Sequence, residues 1–211
     1  MRRCAADGPW VLAKAAGPVK VGVLALQGDF AEHIAVLKRI GIETAEVRLP
    51  RDLEGVSGLI IPGGESTTLS YLMDLYDLRA PIQDMAAAGS PVYGTCAGMI
   101  MMAAELTEGR PTPMGLMDIV VVRNAFGRQV DSFEADLEVP SLNGGPFHAV
   151  FIRAPAITSI GHGVQVLARL PDGRPVAVQQ GNLLATAFHP ELTDDTRFHS
   201  YFLSLASGPR G

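Results

Sequence analysis

The sequence predicts a three-layer α/β sandwich of flavodoxin-like type: a mostly parallel central sheet with helices on both faces, and extra antiparallel strands in the second half. Three observations lead there. Up to Glu105, near-continuous apolar runs closed by Gly have the texture of parallel strands covered on both sides. Stretches with helical spacing separate those runs, which is the alternation of a parallel sheet with crossover helices. After Glu105 the texture changes to short strands divided by Gly, Pro, Asn and Asp turns. A chain of 211 residues is long enough to bury the core of one such domain.

The elements follow in order. Residues 19–28, VKVGVLALQG, form the first strand. In DFAEHIAVLKRIG, Ile34, Leu37 and Ile40 recur at helical spacing and Gly41 stops the helix. ETAEVRL is a second, more amphipathic strand, and VSGLIIPGG a third that ends in Pro62-Gly63-Gly64. Ser66 or Thr67 is placed to cap the next helix through LSYLMDLYDL, and a further helical stretch reaches Ala88. SPVYGT is the fourth strand, leading into a helix over AGMIMMAAEL. GLMDIVVVRN, DSFEADLEV, FHAVFIRAP, VQVLARL, RPVAVQQ and NLLATAFHP read as short strands, with a hairpin turn at PDGRP. DDTRFHSYFLSL is the last helix, with Thr193 or Asp194 available as its cap. One domain over residues 19–206 is expected, with a loosely held leader at 1–18 and a flexible tail at 207–211.

Composition narrows the function. Apolar residues make up 47% and charged residues 18% of the chain, as in globular proteins. A formal charge of −5 without Lys/Arg-rich runs gives no support for nucleic-acid or anionic-membrane partners. No apolar run approaches the roughly 20 residues that span a bilayer. Cys4 and Cys96 lack the spacing of a zinc site or a disulfide framework. Neither a metal nor another cofactor is implied, and a reducing, cytoplasmic setting is expected. The leader, MRRCAADGPWVLAKAAGP, only faintly resembles a secretion signal, since WVLA is short and Asp7-Gly8-Pro9 interrupts it.

Ligands in such sheets bind at the carboxyl ends of the strands. Gln27-Gly28, Pro62-Gly63-Gly64-Glu65-Ser66, Cys96 and His189 all fall there. Cys96 has Gly94 two residues before it and Gly98 two after, the spacing of a nucleophile elbow with Cys in place of Ser. At the start of a helix, unpaired N–H groups and the helix dipole favour a thiolate. Among five histidines, His33 is expected on a surface helix, His148 in a strand, His162 in a turn and His199 in the last helix. His189 alone stands just past an apolar strand with a carboxylate two residues on. If HPE is extended, Glu191 projects to the same side as His189 and can fix its tautomer. Cys96, His189 and Glu191 then supply nucleophile, acid–base and orienting group. HPE by itself reads better as a polar turn opening the last helix, since short polar turns are common. The PGG turn and the Ala97 amide offer donors for a developing oxyanion. PGGES lacks the length and Lys of a phosphate-binding loop.

Taken together, GVLALQGDFAEH, LIIPGGEST, GTCAGMI, RNAFGRQVDSFE, VFIRAP and ATAFHPELTDDTRFHSYF resemble the glutaminase subunits of pyridoxal 5′-phosphate synthase, a branch of the class I, triad-type glutamine amidotransferases. The resemblance runs from about Val19 to Leu205, and RNAFGRQVDSFE is its most specific part. It implies hydrolysis of L-glutamine to glutamate and ammonia through a glutamyl thioester on Cys96, with His189 as acid and base and Glu191 orienting it. It implies an oxyanion hole at Gly64 and Ala97, and glutamine-binding positions at Gly64, Glu65, Ser66, Arg123, Ile152 and Arg153. It also implies a partner, the synthase subunit that receives the ammonia, and weak activity until docking arranges the loop at Gly63-Gly64. The competing readings are a glutaminase or γ-glutamyl hydrolase of another pathway, and a catalytically silent docking module of the same fold.

Overall fold

The computed structural model describes residues 19–123, 125 and 132–206. The expected leader and tail, and the centre of RNAFGRQVDSFE, lie outside the described residues.

Strands β1 (Lys20–Leu24), β2 (Glu43–Val47), β3 (Gly58–Ile61) and β4 (Val92–Thr95) alternate with helices α1 (Phe30–Arg39), α2 (Ser66–Leu75), α3 (Arg79–Ala87) and α4 (Ala97–Met102). The second half adds β5 (Ala103–Leu106), β6 (Met117–Val122), β7 (Ser132–Leu137), β8 (Phe147–Ile152), β9 (Ala156–Ile160), β10 (Gln165–Arg169), β11 (Pro175–Gln180), β12 (Leu183–Thr186) and the final helix α5 (Arg197–Ala206). The main sheet has the order β10-β11-β12-β4-β3-β1-β2. It is parallel from β2 to β12 and antiparallel from β12 to β10. Two smaller sheets, β5-β6-β9 and β7-β8, complete the described strands.

Burial explains the texture of the sequence. Every residue of β3 and β4 is buried, as it must be where layers cover both faces. In β6 and β8 buried and less buried residues alternate, so those strands keep one face toward water. Phe147, Phe188 and Phe198 are fully buried and meet ring to ring, with centroids 4.8–5.7 Å apart. They join β8, the exit of β12 and α5 into one core.

Some local expectations are corrected. The helix after Cys96 stops at Met102, and Ala103–Leu106 becomes a strand. Its last carbonyls, on Met101, Met102 and Ala103, accept from the amides of Met114, Leu116 and Gly115, so the helix has no need of its own next turn. β9 was not anticipated; it pairs antiparallel with β6. At α5 the first amide, that of Arg197, donates to the Asp195 carboxylate rather than to Thr193 or Asp194.

One feature of the topology sets the site. β12, reached late in the chain, inserts between β11 and β4, so Thr186 sits in register with Thr95. The Cys96 amide donates to the Thr186 carbonyl (2.8 Å). The ends of β4 and β12, about ninety residues apart in the chain, are therefore locked side by side.

Candidate active site

The turn from β4 into α4 is a tight elbow. Cys96 has φ 48° and ψ −102°, a left-handed conformation that costs a non-glycine residue about 1–3 kcal/mol. The surrounding packing holds it there. A Cβ on Gly98 would lie 2.0 Å from the Ile61 carbonyl oxygen, and one on Gly94 would lie 2.6 Å from the Gly98 backbone. The two glycines let β3, β4 and α4 close up beneath the sulfur. Cys96 is 6% exposed, and its thiol faces the Ile152 carbonyl at 3.8 Å.

His189 follows β12, and its amide donates to the Val150 carbonyl of β8 (2.9 Å). Its ring is buried. Nδ1 lies 2.7 Å from Glu191 Oε1 and 3.3 Å from Asp29 Oδ2. Burial alone would pull its pKa down. The Asp29 carboxylate, the Cys96 side chain and Glu191 outweigh it and push the imidazole up to about 12. With Nδ1 taken by carboxylates, Nε2 is the nitrogen left for the sulfur. Glu191 is pushed above the usual carboxylate range by burial, with His189 working against that.

The expected geometry of HPE is corrected. Residues 190–192 form a single 3-10 turn with Pro190 at its first position, instead of an extended segment. The turn folds Glu191 back onto His189, reaching by a different route the contact that the spacing suggested. Asp29 escaped the sequence reading. It stands directly after Gln27-Gly28 at the end of β1, so the strand-end rule that flagged those two residues pointed at it as well. Asp29 donates its amide to the Gly63 carbonyl (3.3 Å), and a Cβ on Gly63 would strike the His189 ring at 2.4 Å. The loops after β1, β3 and β12 are thus in mutual contact. His33 was also misread. It is completely buried on the inner face of α1, with Nε2 3.4 Å from Glu191 Oε2.

A cavity of about 270 Å³ opens over this cluster. Gly64, Glu65, Ser66, Cys96, Arg123, Ile152, Arg153 and His189 line it, together with Asp29 and Ile100. Glu191 stands behind His189, out of the cavity. Ala97 opens α4 and is 1% exposed, so its amide has no intrahelical acceptor. Among the residues expected to bind glutamine, Glu65, Ser66 and Arg123 are already engaged with one another or with α2. Glu65, rather than Ser66 or Thr67, caps α2: its carboxylate accepts from the Thr67 amide (2.9 Å) and from the Thr68 amide and hydroxyl (2.6 and 2.7 Å). Partial burial pushes its pKa up, but those donors dominate and hold it at about 2. Arg123 Nη1 donates to the hydroxyls of Ser66 and Thr67, both at 3.2 Å. Arg153 sits just past β8 with φ 43°.

Asp29, His189 and Glu191 each offer a ligand atom, all within 4.8 Å of one another, so they could surround a cation. Their spacing is that of hydrogen bonds, and a metal would have to displace the proton that the two carboxylates hold on Nδ1. No described helix is long and apolar enough to cross a membrane.

Comparison with known proteins shows the family and the fold. The family described as SNO glutamine amidotransferase matches residues 23–207. The pyridoxal 5′-phosphate synthase subunit PdxT of Herpetosiphon aurantiacus is 61% identical over 188 residues, covering 88% of this chain and 99% of that protein. The protein of the same name from Dehalococcoides mccartyi is 58% identical over 191 residues, covering 89% and 97%. A crystal structure of a glutamine amidotransferase superimposes with a TM-score of 0.85 at 53% identity, covering 89% of this chain and 99% of the other. The structure of PurLQS from Thermotoga maritima shares the fold at 19% identity, with a TM-score of 0.67 over 89% of this chain and 98% of that one.

Proposed function

This chain belongs to the SNO glutamine amidotransferase family, and from that premise we propose how its residues carry out glutamine hydrolysis. The protein converts L-glutamine to L-glutamate and ammonia, and delivers the ammonia to a synthase subunit that makes pyridoxal 5′-phosphate. Cys96 attacks the side-chain amide carbon as a thiolate, its proton having passed to His189 Nε2. The oxyanion that forms is met by the backbone amides of Ala97 and Gly64. Collapse expels ammonia, protonated by His189, and leaves a γ-glutamyl thioester on Cys96. His189 then takes a proton from water as the water attacks the thioester, and glutamate departs with the thiol restored. Glu191 holds the imidazole in the tautomer with Nδ1–H.

The amino-acid end of glutamine carries an ammonium and a carboxylate. Glu65 faces the first, and Arg123 and Arg153 the second, with Ser66 and the Ile152 backbone between them. Every step uses groups of this chain, so the reaction needs no cofactor. A thiolate nucleophile is suited to a reducing, cytoplasmic setting. The single observation that carries this reading is that Cys96 and His189 line one cavity, with Glu191 2.7 Å from the His189 ring.

The test is pyridoxal 5′-phosphate formation by the complex with a synthase subunit, supplied with either glutamine or an ammonium salt. Cys96→Ala is expected to abolish the glutamine-dependent rate and to leave the ammonium-dependent rate intact. A Cys96→Ala complex that still uses glutamine would overturn the assignment, and so would a wild-type complex that uses only ammonium.

A further inference from the structure

Behind Glu191, on the side away from the cavity, a second buried polar chain runs through the core. His33 of α1 and His199 of α5 are both fully buried, and His33 Nδ1 lies 2.9 Å from His199 Nε2. His33 Nε2 faces Thr95 Oγ1 of β4 at 3.1 Å and Glu191 Oε2 at 3.4 Å. That carboxylate oxygen is buried and has no hydrogen-bond partner among the described residues, with His33 Nε2 standing 3.4 Å from it. The proposed reaction uses only its sister oxygen.

Two arrangements of protons are possible, and they are not equivalent. If His33 carries its proton on Nδ1, it donates to His199 Nε2. His33 Nε2 can then accept from the Thr95 hydroxyl but offers Glu191 Oε2 no proton, and His199 is left with an N–H on Nδ1, a buried atom without a partner. A stranded buried donor and a buried carboxylate oxygen without any donor are both unfavourable. If the proton is on His33 Nε2, His199 Nε2–H donates to His33 Nδ1, and His33 donates toward Thr95 and Glu191. Only an imine nitrogen is then left over, on His199. Burial keeps both rings neutral, His33 well below the ordinary imidazole range and His199 down to about 4, with Arg39 adding to the effect at His199.

We infer that His33 is a positioning residue for the hydrolysis: its Nε2–H is the second donor to Glu191, and His199 holds the proton on that nitrogen. This rests on the assignment of Cys96, His189 and Glu191 above. Glu191 then has His189 hydrogen-bonded to one oxygen and the His33 N–H 3.4 Å from the other. The other ionisable groups around the pair are Asp29 at the end of β1, Tyr93 of β4 and Arg39 of α1. Asp29 contacts His189 and Tyr93 pairs with Thr186, whereas Arg39 is bonded to Asp194 at the surface. None of them supplies a proton to Glu191 Oε2.

The test compares His33→Leu, which has no donor, with His33→Gln, whose amide N–H reaches near the position of Nε2. Both are assayed for glutaminase activity in the complex with the synthase subunit. Loss of the donor is expected to lower kcat about tenfold, with KM for glutamine unchanged within about twofold. A buried carboxylate short of a donor takes up a proton more readily, so the acid limb of the pH–rate profile should move up by about one pH unit. His33→Gln should restore most of kcat and return the limb. Independently, 15N spectra of histidine-labelled wild-type protein should show His33 protonated on Nε2 and bare on Nδ1, a result that does not depend on any variant folding. The inference is overturned by the opposite tautomer, by a folded His33→Leu protein with normal kcat and limb, or by a loss of kcat with an unmoved limb and no recovery in His33→Gln. Cys96→Ala separates the two levels. If that variant still hydrolyses glutamine, the underlying assignment has failed; if it is inactive while His33→Leu is normal, only the role of His33 has failed.

Discussion

The two walls of the cavity are built on different principles. On the reacting wall, Cys96, His189 and Glu191 are all buried, and strand ends and glycine contacts determine their positions. On the recognition wall, Glu65, Arg123 and Arg153 are partly or fully exposed, and the first two are held by hydrogen bonds that they make with α2. The reacting wall is preorganised by the core, at the expense of strain such as the φ of 48° at Cys96. The recognition wall is organised locally, and on the proposed function a ligand carboxylate would compete with the Ser66 and Thr67 hydroxyls for Arg123. Damage to the first wall should therefore appear in kcat or in the stability of the whole domain, and damage to the second in KM.

The largest effect tests the first half of that division. His189→Asn should reduce glutaminase kcat by roughly 10³-fold or more, with little change in KM. A variant impaired only in KM would erase the distinction between the walls. Next comes Gly98→Ala, whose methyl group would press on the Ile61 carbonyl from 2.0 Å. A loss of about 3 kcal/mol in denaturant unfolding is expected. A normal midpoint would show that the elbow yields more easily than its packing indicates.

The third test is acidification. His199 has a folded pKa of about 4, below its ordinary value of 6.5, and His33 is depressed as well. Groups lowered in this way contribute stability that is present above about pH 6.5 and is lost as pH falls toward 4, because the unfolded chain takes up protons first. His199 alone should account for a loss on the order of 3 kcal/mol between pH 7 and pH 4. His189, raised to about 12, acts in the opposite sense, and its contribution declines only as pH rises from 6.5 toward 12. The difference in unfolding midpoint between the wild type and His199→Phe across pH 7 to 4 isolates the effect, and parallel curves would refute it. The smallest effect sharpens the recognition wall. Glu65→Ala removes the cap of α2, for about 1 kcal/mol, and should raise KM for glutamine while leaving kcat within about twofold. A kcat loss comparable to that of His189→Asn would place Glu65 on the wrong wall.

Much of the reacting wall was legible because its signals are short-range. Gly94, Cys96 and Gly98 sit between an apolar strand and a helix, and His189 and Glu191 are two residues apart after another strand. What escaped depended on neighbours far along the chain. α4 ends early because amides twelve or so residues on capture its carbonyls. Glu65 displaced Ser66 and Thr67 as a cap because its longer side chain reaches back to two amides at once. His33 looked like a surface residue because the periodicity of α1 shows that one face is apolar, but not that a histidine on it meets Glu191 and His199.

By itself, the sequence determined the alternation of strands and helices, the elbow at Cys96, and a family signature spread over nearly the whole chain. These reside in residue type and local spacing, which hydrophobic periodicity and backbone sterics dictate without reference to distant partners. Only the tertiary structure decided that β12 inserts beside β4, that Asp29 joins Glu191 at His189, and that His33 and His199 stand behind the carboxylate. Those facts rest on contacts between segments up to 166 residues apart. Such contacts arise from the competition of the whole chain for burial and hydrogen-bond partners, which no local pattern encodes.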